Sequence, residues 1–282
     1  MGNLYVVATP IGNLNDLSPR AIKTLKESDL ILVEDTRQTI KLLNHFDIKT
    51  KMVSYHKFNE IKRTSEIIED LKNGKNISLV SDAGTPCISD PGYILVRKAR
   101  ESGINVIGIP GASAVITALS IGGLDTSNFT FYGFVPTENK LKKELFYDIK
   151  NSNVKTKVVY ESPKRVLKLL EELKKEIPGC VVNVCSELTK VHESCIYGKI
   201  EDVYEKMIEN KDDIKGEYVI LIGNDKIKEE SEKISLEALI IDVVVKNNCS
   251  IKDAIDILNK QNKDISKKDI YNASLNLKKI MK

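Results

Sequence analysis

The chain has 282 residues, 41% hydrophobic and 29% charged, a balance that excludes an intrinsically disordered protein and fits two domains of ordinary size, each able to bury a core. Its formal net charge of +3 neither demands nor excludes a nucleic-acid partner. Five cysteines without a C-x-x-C pair and three histidines argue against structural disulfides and against zinc, so no metal is expected.

In chain order, short apolar runs alternate with segments of helical spacing. LYVVA (Leu4 to Ala8), LILVE (Leu30 to Glu34), MVSY (Met52 to Tyr55), ISLVS (Ile77 to Ser81) and INVIGI (Ile104 to Ile109) predict a parallel sheet covered on both faces. Glycines at Gly122 and Gly123 relax the chain near Ile121 to Leu124, which marks a join. FTFYGF (Phe129 to Phe134), KVVYE (Lys157 to Glu161), VVNVCSE (Val181 to Glu187), SCIYGKI and EYVILI (Glu217 to Ile222) then predict a second sheet of mixed direction. Beyond Gly223 a charged connector, NDKIKEESEK, leads to a lysine-rich tail of helical periodicity. The expected architecture is α/β: an N-terminal α/β domain over 1–122, a second α/β domain over 123–225 and a helical appendage over 226–282. Its most apolar run, Ala238 to Val245, is too short and charge-broken to span a membrane, and the N-terminus lacks a basic region before its apolar run. A cytoplasmic location is expected.

Three Xaa-Pro pairs, Ser18-Pro19, Asp90-Pro91 and Ser162-Pro163, read as helix N-caps with proline at the first helical position. The loops TPIGNLND, EDTRQT, SDAGTPCISDPG and IPGASA therefore stand at the carboxyl ends of strands, where open α/β sheets bind ligands. Glycines 12, 84 and 111 let the backbone approach a ligand, and Asp82, Asp35 and Glu34 can accept from ribose hydroxyls or an ammonium group. Taken singly, such aspartates and glycines serve turns; four such loops on one edge favour a site. Neither G-x-G-x-x-G after the first strand nor G-x-x-x-x-G-K-[ST] is present, which disfavours an ordinary dehydrogenase or NTPase.

The segments LYVVATPIGNLNDLSPRA, VEDTRQTIKLL, SLVSDAGTPCISDPGYILV, GIPGASAVITALSIGGL, FYGFVP, VVYESPKRV, CSELTKVHES and KGEYVILI, in this order between Leu4 and Ile222, resemble the ribosomal RNA small subunit methyltransferase I family of the tetrapyrrole methylase fold. The resemblance implies methyl transfer from S-adenosylmethionine to the ribose 2′-hydroxyl of a cytidine in small-subunit (16S) rRNA, with the cofactor in a cleft between the two α/β domains. It further implies a small ribosomal subunit partner, a homodimer and a helix-turn-helix-like tail. Carried over by position, cofactor contacts fall on Pro10, Ile11, Gly12, Asp82, Ala83, Gly84, Ile88, Ser113, Ala114, Glu161, Ser162 and Leu188. Serine at 186 and lysine at 164 stand where the family pattern has arginine and histidine.

Methyl transfer from a sulfonium needs an in-line oxygen nucleophile, so positioning, at about 7 to 11 kcal/mol, outweighs a general base at about 100- to 10,000-fold. Among Glu187, Lys190, Glu193, His192 and Glu34, Glu187 and Lys190 are the first choices for catalysis. Arg37, Lys164 and Arg165 are the expected RNA phosphate contacts, with lysines of LKKELFYDIKNSNVKTK and KKDIYNASLNLKKIMK as a further basic surface. The alternatives are a precorrin-type tetrapyrrole methyltransferase, which would need a deep apolar trough, a noncatalytic ribosome-binding protein and a hydride-transfer enzyme that binds nicotinamide.

Overall fold

The computed structural model describes residues 1–223, 235–261 and 266–280, and the chain divides into two compact units, Met1–Asp225 and Lys226–Lys282. The connector NDKIKEESEK lies outside the described residues.

The first unit begins with a strand-helix alternation: β1 (Asn3–Val7), α1 (Pro19–Glu27), β2 (Leu30–Val33), α2 (Thr36–His45), β3 (Met52–Ser54), α3 (Glu60–Lys72), β4 (Ile77–Leu79), α4 (Tyr93–Glu101), β5 (Asn105–Ile109) and α5 (Ala114–Ile121). The five strands are all parallel in the order β3-β2-β4-β1-β5. Period-2 side-chain alternation sends Leu4, Leu32, Ile77 and Leu79 to one face, against Ile67, Leu71 and Leu95 of α3 and α4. Val7, Ile31, Val33 and Ile109 go to the other, against Ala21, Leu25 and Leu43 of α1 and α2. Both faces are covered, as continuous apolar strands require.

The second sheet contains β6 (Phe129–Phe134), β7 (Thr156–Glu161), β8 (Val181–Ser186), β9 (Ser194–Lys199) and β10 (Tyr218–Gly223), in the order β6-β7-β10-β8-β9. Only β6 and β7 pair in parallel; β8 and β9 form an antiparallel hairpin, so the sheet is mixed. Helices α6 (Asn139–Asn151), α7 (Val166–Glu176) and α8 (Ile200–Glu209) cover one face through Val159, Val182, Ile220 and Ile222. The other face takes α5, whose Val115, Ala118 and Leu119 pack on Val158, Cys185, Val219 and Leu221.

That last contact gives one glycine of the expected join at Ile121 to Leu124 a packing role, while Gly123 has φ of 69°. Gly122 is buried, a Cβ there would collide with the Leu221 side chain, and its carbonyl accepts from buried Asn183 Nδ2 at 3.0 Å. Glycine at 122 serves close packing of α5 on β10.

The proline-based caps separate in the same way. Ser18 Oγ accepts from Ala21 N at 3.1 Å with Pro19 opening α1, as the sequence indicated. Helix α4 instead begins at Tyr93 behind Gly92, whose φ of 133° only glycine adopts easily, so Asp90 is no N-cap. After Ser162-Pro163 the chain makes one more turn, with Ser162 O accepting from Arg165 N and Val166 N, and α7 starts at Val166.

The second unit consists, among the described residues, of α9 (Leu236–Asn247), α10 (Ile251–Gln261) and α11 (Lys267–Ile280). Ile240, Ala254, Leu258, Ile270, Ala273 and Leu277 form its core. Ser235 caps α9 through Ala238 N, and a reciprocal Ser250–Asp253 box opens α10. Among the described residues no helix is long and apolar enough to cross a membrane.

Candidate functional site

Loops at the carboxyl ends of the first sheet meet one edge of the second around a cavity of about 480 Å³. The long loop from Ser81 to Gly92 is its main wall, and its length is explained by what it fastens. Thr9 and Gly84 exchange backbone hydrogen bonds at 2.8 and 3.0 Å, joining it to the loop after β1. Asp35 N donates to Asp82 Oδ1 at 3.1 Å, and Thr85 Oγ1 donates to Ala112 O at 3.1 Å, joining it to the loops after β2 and β5. All four strand-end loops thus reach the cavity, through Ile11, Glu34, the Asp82–Asp90 run and Ser113. Gly84 has φ of 83° and its missing Cβ leaves room for Ile11.

The second sheet supplies the opposite wall: Phe134, Tyr160, the Glu187–Lys190 turn and the Gly216–Val219 segment. Gly12 is what lets the two walls close, since a Cβ there would stand 2.9 Å from Leu188 O and from Thr189 Oγ1. Cys87, Ser89, Glu187 and Thr189 all have φ between 52° and 70°, a costly conformation for non-glycine residues, and all lie in the two loops that face each other here.

Of the residues expected at the cofactor, Ile11, Asp82, Ala83, Gly84, Ile88, Ser113, Ala114 and Leu188 line this cavity, and so do Glu187 and Lys190. Pro10 and Gly12 belong to the first loop without lining it. Glu161 and Ser162 lie elsewhere: Glu161 is buried, accepts from Ser162 N at 2.6 Å and pairs with Arg165 at 2.7 Å beside a separate pocket of about 150 Å³. In strand β7 it is Tyr160 that turns toward the cavity, because adjacent side chains take opposite faces. Lys164 is exposed in the following turn, and Ser186 ends β8 opposite Tyr218. Arg37 is exposed and pairs with Asp35 at 2.6 Å, at the edge of a neighbouring groove. Of the other bases considered, Glu34 lines the cavity, Glu193 accepts from Thr189 N at 2.6 Å and His192 is exposed.

The cavity is acidic. Burial, then the charges of Glu34, Asp82 and Glu217, pushes the Asp90 carboxyl up to about 7. Burial first, and then Asp82, raises Glu34; burial first, and then Asp35, raises Asp82 against the bond from the Asp35 amide. Such a wall favours a cation held against it. Glu187 Oε1 accepts from Lys190 Nζ at 2.8 Å, so this pair faces the cavity already neutralised. Asp90, whose sequence context suggests a helix cap, and Glu217, Tyr160 and Phe134, which the sequence places only in strands, line the cavity as well. Among the described residues no group of three or more His, Cys, Asp or Glu side chains is arranged to hold a metal ion.

Comparison with known proteins adds to this geometry. Residues 3–204 match the family model for Tetrapyrrole (Corrin/Porphyrin) Methylases. The chain is 44% identical over 275 residues to the ribosomal RNA small subunit methyltransferase I of Halalkalibacterium halodurans, covering 96% of this chain and 94% of that one. It is 46% identical over 224 residues to the protein of that name from Synechocystis, covering 79% of each. Among solved structures, uroporphyrin-III C-methyltransferase of Thermus thermophilus in complex with S-adenosylhomocysteine aligns at TM-score 0.53 with 18% identity, over 79% of this chain and 98% of that one. A diphthine synthase aligns at TM-score 0.59 with 14% identity, over 79% and 90%.

Proposed function

Because the chain belongs to the tetrapyrrole methylase family, and within it to the ribosomal RNA small subunit methyltransferases I, we propose that it transfers a methyl group from S-adenosylmethionine to the ribose 2′-hydroxyl of a cytidine in small-subunit (16S) rRNA. The observation that carries the reading is the convergence of four strand-end loops and the Glu187–Lys190 turn on one acidic cavity of about 480 Å³, within the size range of small-ligand sites. In this reading residues 1–122 and 123–225 form the two halves of the cofactor cleft, 226–282 is an appendage, and the protein works in the cytoplasm as a homodimer on the small ribosomal subunit.

The residues fit the cofactor on two counts. Gly84 and the small side chains of Ala83, Ser113 and Ala114 leave backbone accessible to a nucleoside, and the carboxylates of Glu34, Asp82 and Asp90 suit a positive sulfonium. When bound, S-adenosylmethionine supplies an activated methyl group. Ile11, Asp82, Ala83, Gly84, Ile88, Ser113, Ala114 and Leu188 hold it, and Phe134, Tyr160 and Leu188 provide apolar lining that limits water. Glu187, steadied by Lys190, accepts the proton from the ribose hydroxyl. Positioning supplies the larger share of the barrier reduction, about 7 to 11 kcal/mol in favourable cases.

The test supplies methyl-labelled S-adenosylmethionine and small subunits that lack the modification, then digests the RNA to nucleosides for mass spectrometry. The expected product is 2′-O-methylcytidine. Label on a base nitrogen, or no label in RNA, overturns the reading.

A further inference from the structure

A second groove, of about 400 Å³, opens beside the cavity and shares Glu34 and Asp82 with it. Its other lining includes Asp35, Thr36 and Arg37 after β2, Ser54 at the end of β3, and His56, Lys57 and Phe58 after it. Phe58 is 85% exposed, yet its loop is tied down on both sides. His56 N donates to Asn59 Oδ1 at 2.9 Å, and Asn59 Nδ2 donates to Ser54 O at 3.2 Å. Tyr55, fully buried next door, shares a 3.1 Å hydrogen bond with Thr64 of α3. The ring is therefore presented on a fixed backbone, with Lys57 Nζ 5.0 Å from its centroid and the His56 ring edge-on at 5.9 Å.

An exposed aromatic ring with an ammonium over it matches one nucleotide of a single strand, the base stacking on the ring face that the ammonium does not cover or displacing it, and the phosphate drawn to the ammonium. Lys57 makes no salt bridge among the described residues, and the Arg37 side chain, though paired with Asp35, is 87% exposed. At the end shared with the cavity, Glu34 and Asp82 repel phosphate, and Asp35 offsets part of the Arg37 charge, which keeps an RNA backbone toward Lys57 and the outer, exposed side of Arg37 and turns a sugar inward.

We propose that this groove is the subsite for an unpaired rRNA nucleotide adjoining the methylated one, with its base stacked on Phe58 and its phosphates facing Lys57 and Arg37. The assignment rests on the rRNA reading given under the proposed function and adds to it a specificity residue remote from the reacting atoms.

The chain has no tryptophan, so Phe58→Trp places a single indole in the groove as a reporter. Undermethylated small subunits, and 16S rRNA extracted from them, are the probes. The expected result is quenching of the indole on titration with either probe. Phe58→Ala is expected to raise KM for the subunits about tenfold or more while kcat and S-adenosylhomocysteine affinity stay within about twofold, with Phe58→Trp restoring the KM. An unquenched indole, or an unchanged KM in Phe58→Ala, overturns the subsite. So does a fall in sedimenting mass for Phe58→Ala, which would assign Phe58, with its exposed neighbours Ile61 and Tyr93, to contact with a second copy of the chain. Quenching accompanied by methylation somewhere other than ribose would sink the proposed reaction and leave the subsite standing; ribose methylation by Phe58→Ala at wild-type KM would do the reverse.

Discussion

Glu187 and Asp90 face the same cavity with opposite electrostatic surroundings, and this divides their roles. Glu187 is neutralised by Lys190 at 2.8 Å, whereas Asp90 has Glu34, Asp82 and Glu217 around it. Replacing Glu187 by Gln keeps the shape and removes the proton acceptor. We expect kcat to fall about 100- to 10,000-fold, with S-adenosylhomocysteine affinity unchanged by calorimetry. Asp90 should show itself in stability. Its carboxyl rises from 3.8 to about 7 on folding, so the folded state holds a proton that the unfolded chain releases. That contribution is fully present below about pH 4 and is lost as pH rises through 7. Asp90→Asn, which cannot ionise, should match the wild type in Tm near pH 4, gain on it steadily to pH 7 and keep a constant lead above. A lead that does not change with pH would refute the assignment. Only part of this was visible in the sequence. The glycine-bearing loops could be read because their residue types are unusual between strand and helix, and Glu187 and Lys190 because they fall in the CSELTKVHES segment that carries the family resemblance. Asp90 could not, since an Asp-Pro pair looks like a helix cap until Gly92 is seen to take that position with φ of 133°.

At the scale of elements, the strands follow from apolar runs with little ambiguity, because a buried strand needs nothing but its own side chains to declare it. What escaped was parity and partner. Tyr160 and Glu161 are neighbours in β7, and which of them faces the cavity depends on pairing with β6 and β10, a non-local fact. Likewise α5 reads as the last helix of the first half, yet its apolar face lies on the second sheet through Val115, Ala118 and Leu119. Gly122 measures how closely that helix is held. Its backbone conformation is ordinary, with φ of −76°, so a methyl group there brings no backbone strain, only collision with Leu221 and a 2.8 Å approach to Ala118 O. Gly122→Ala should therefore destabilise the chain by about 1 to 3 kcal/mol, the usual range for overpacking. Urea unfolding will show the loss as a lower midpoint with an unchanged slope. Pairing it with Leu221→Ala, which makes room for the methyl, should recover part of the loss beyond what the two single changes predict.

For the whole molecule, the separate cores of the two units decide what truncation does. Four apolar clusters serve the two sheets, and each is completed by residues before Gly223. The helical unit, among the described residues, has its own cluster, from Ile240 to Leu277. Every lining residue of the acidic cavity and of the Phe58 groove also lies before Gly223. A chain ended at Gly223 should accordingly unfold in one cooperative step and bind S-adenosylhomocysteine with an affinity within about twofold of the full chain, since it keeps every described lining residue of the cavity and the described members of the four sheet clusters. Its loss should appear toward the ribosomal particle, because the lysines of the tail leave with it. If they neutralise RNA phosphates, the dependence of subunit binding on salt becomes shallower by about one unit of slope for each such contact removed. A truncated chain that keeps the full salt slope would assign phosphate binding to the two-sheet unit alone, and one that no longer binds the nucleoside would refute the independence of the cavity from residues beyond Gly223.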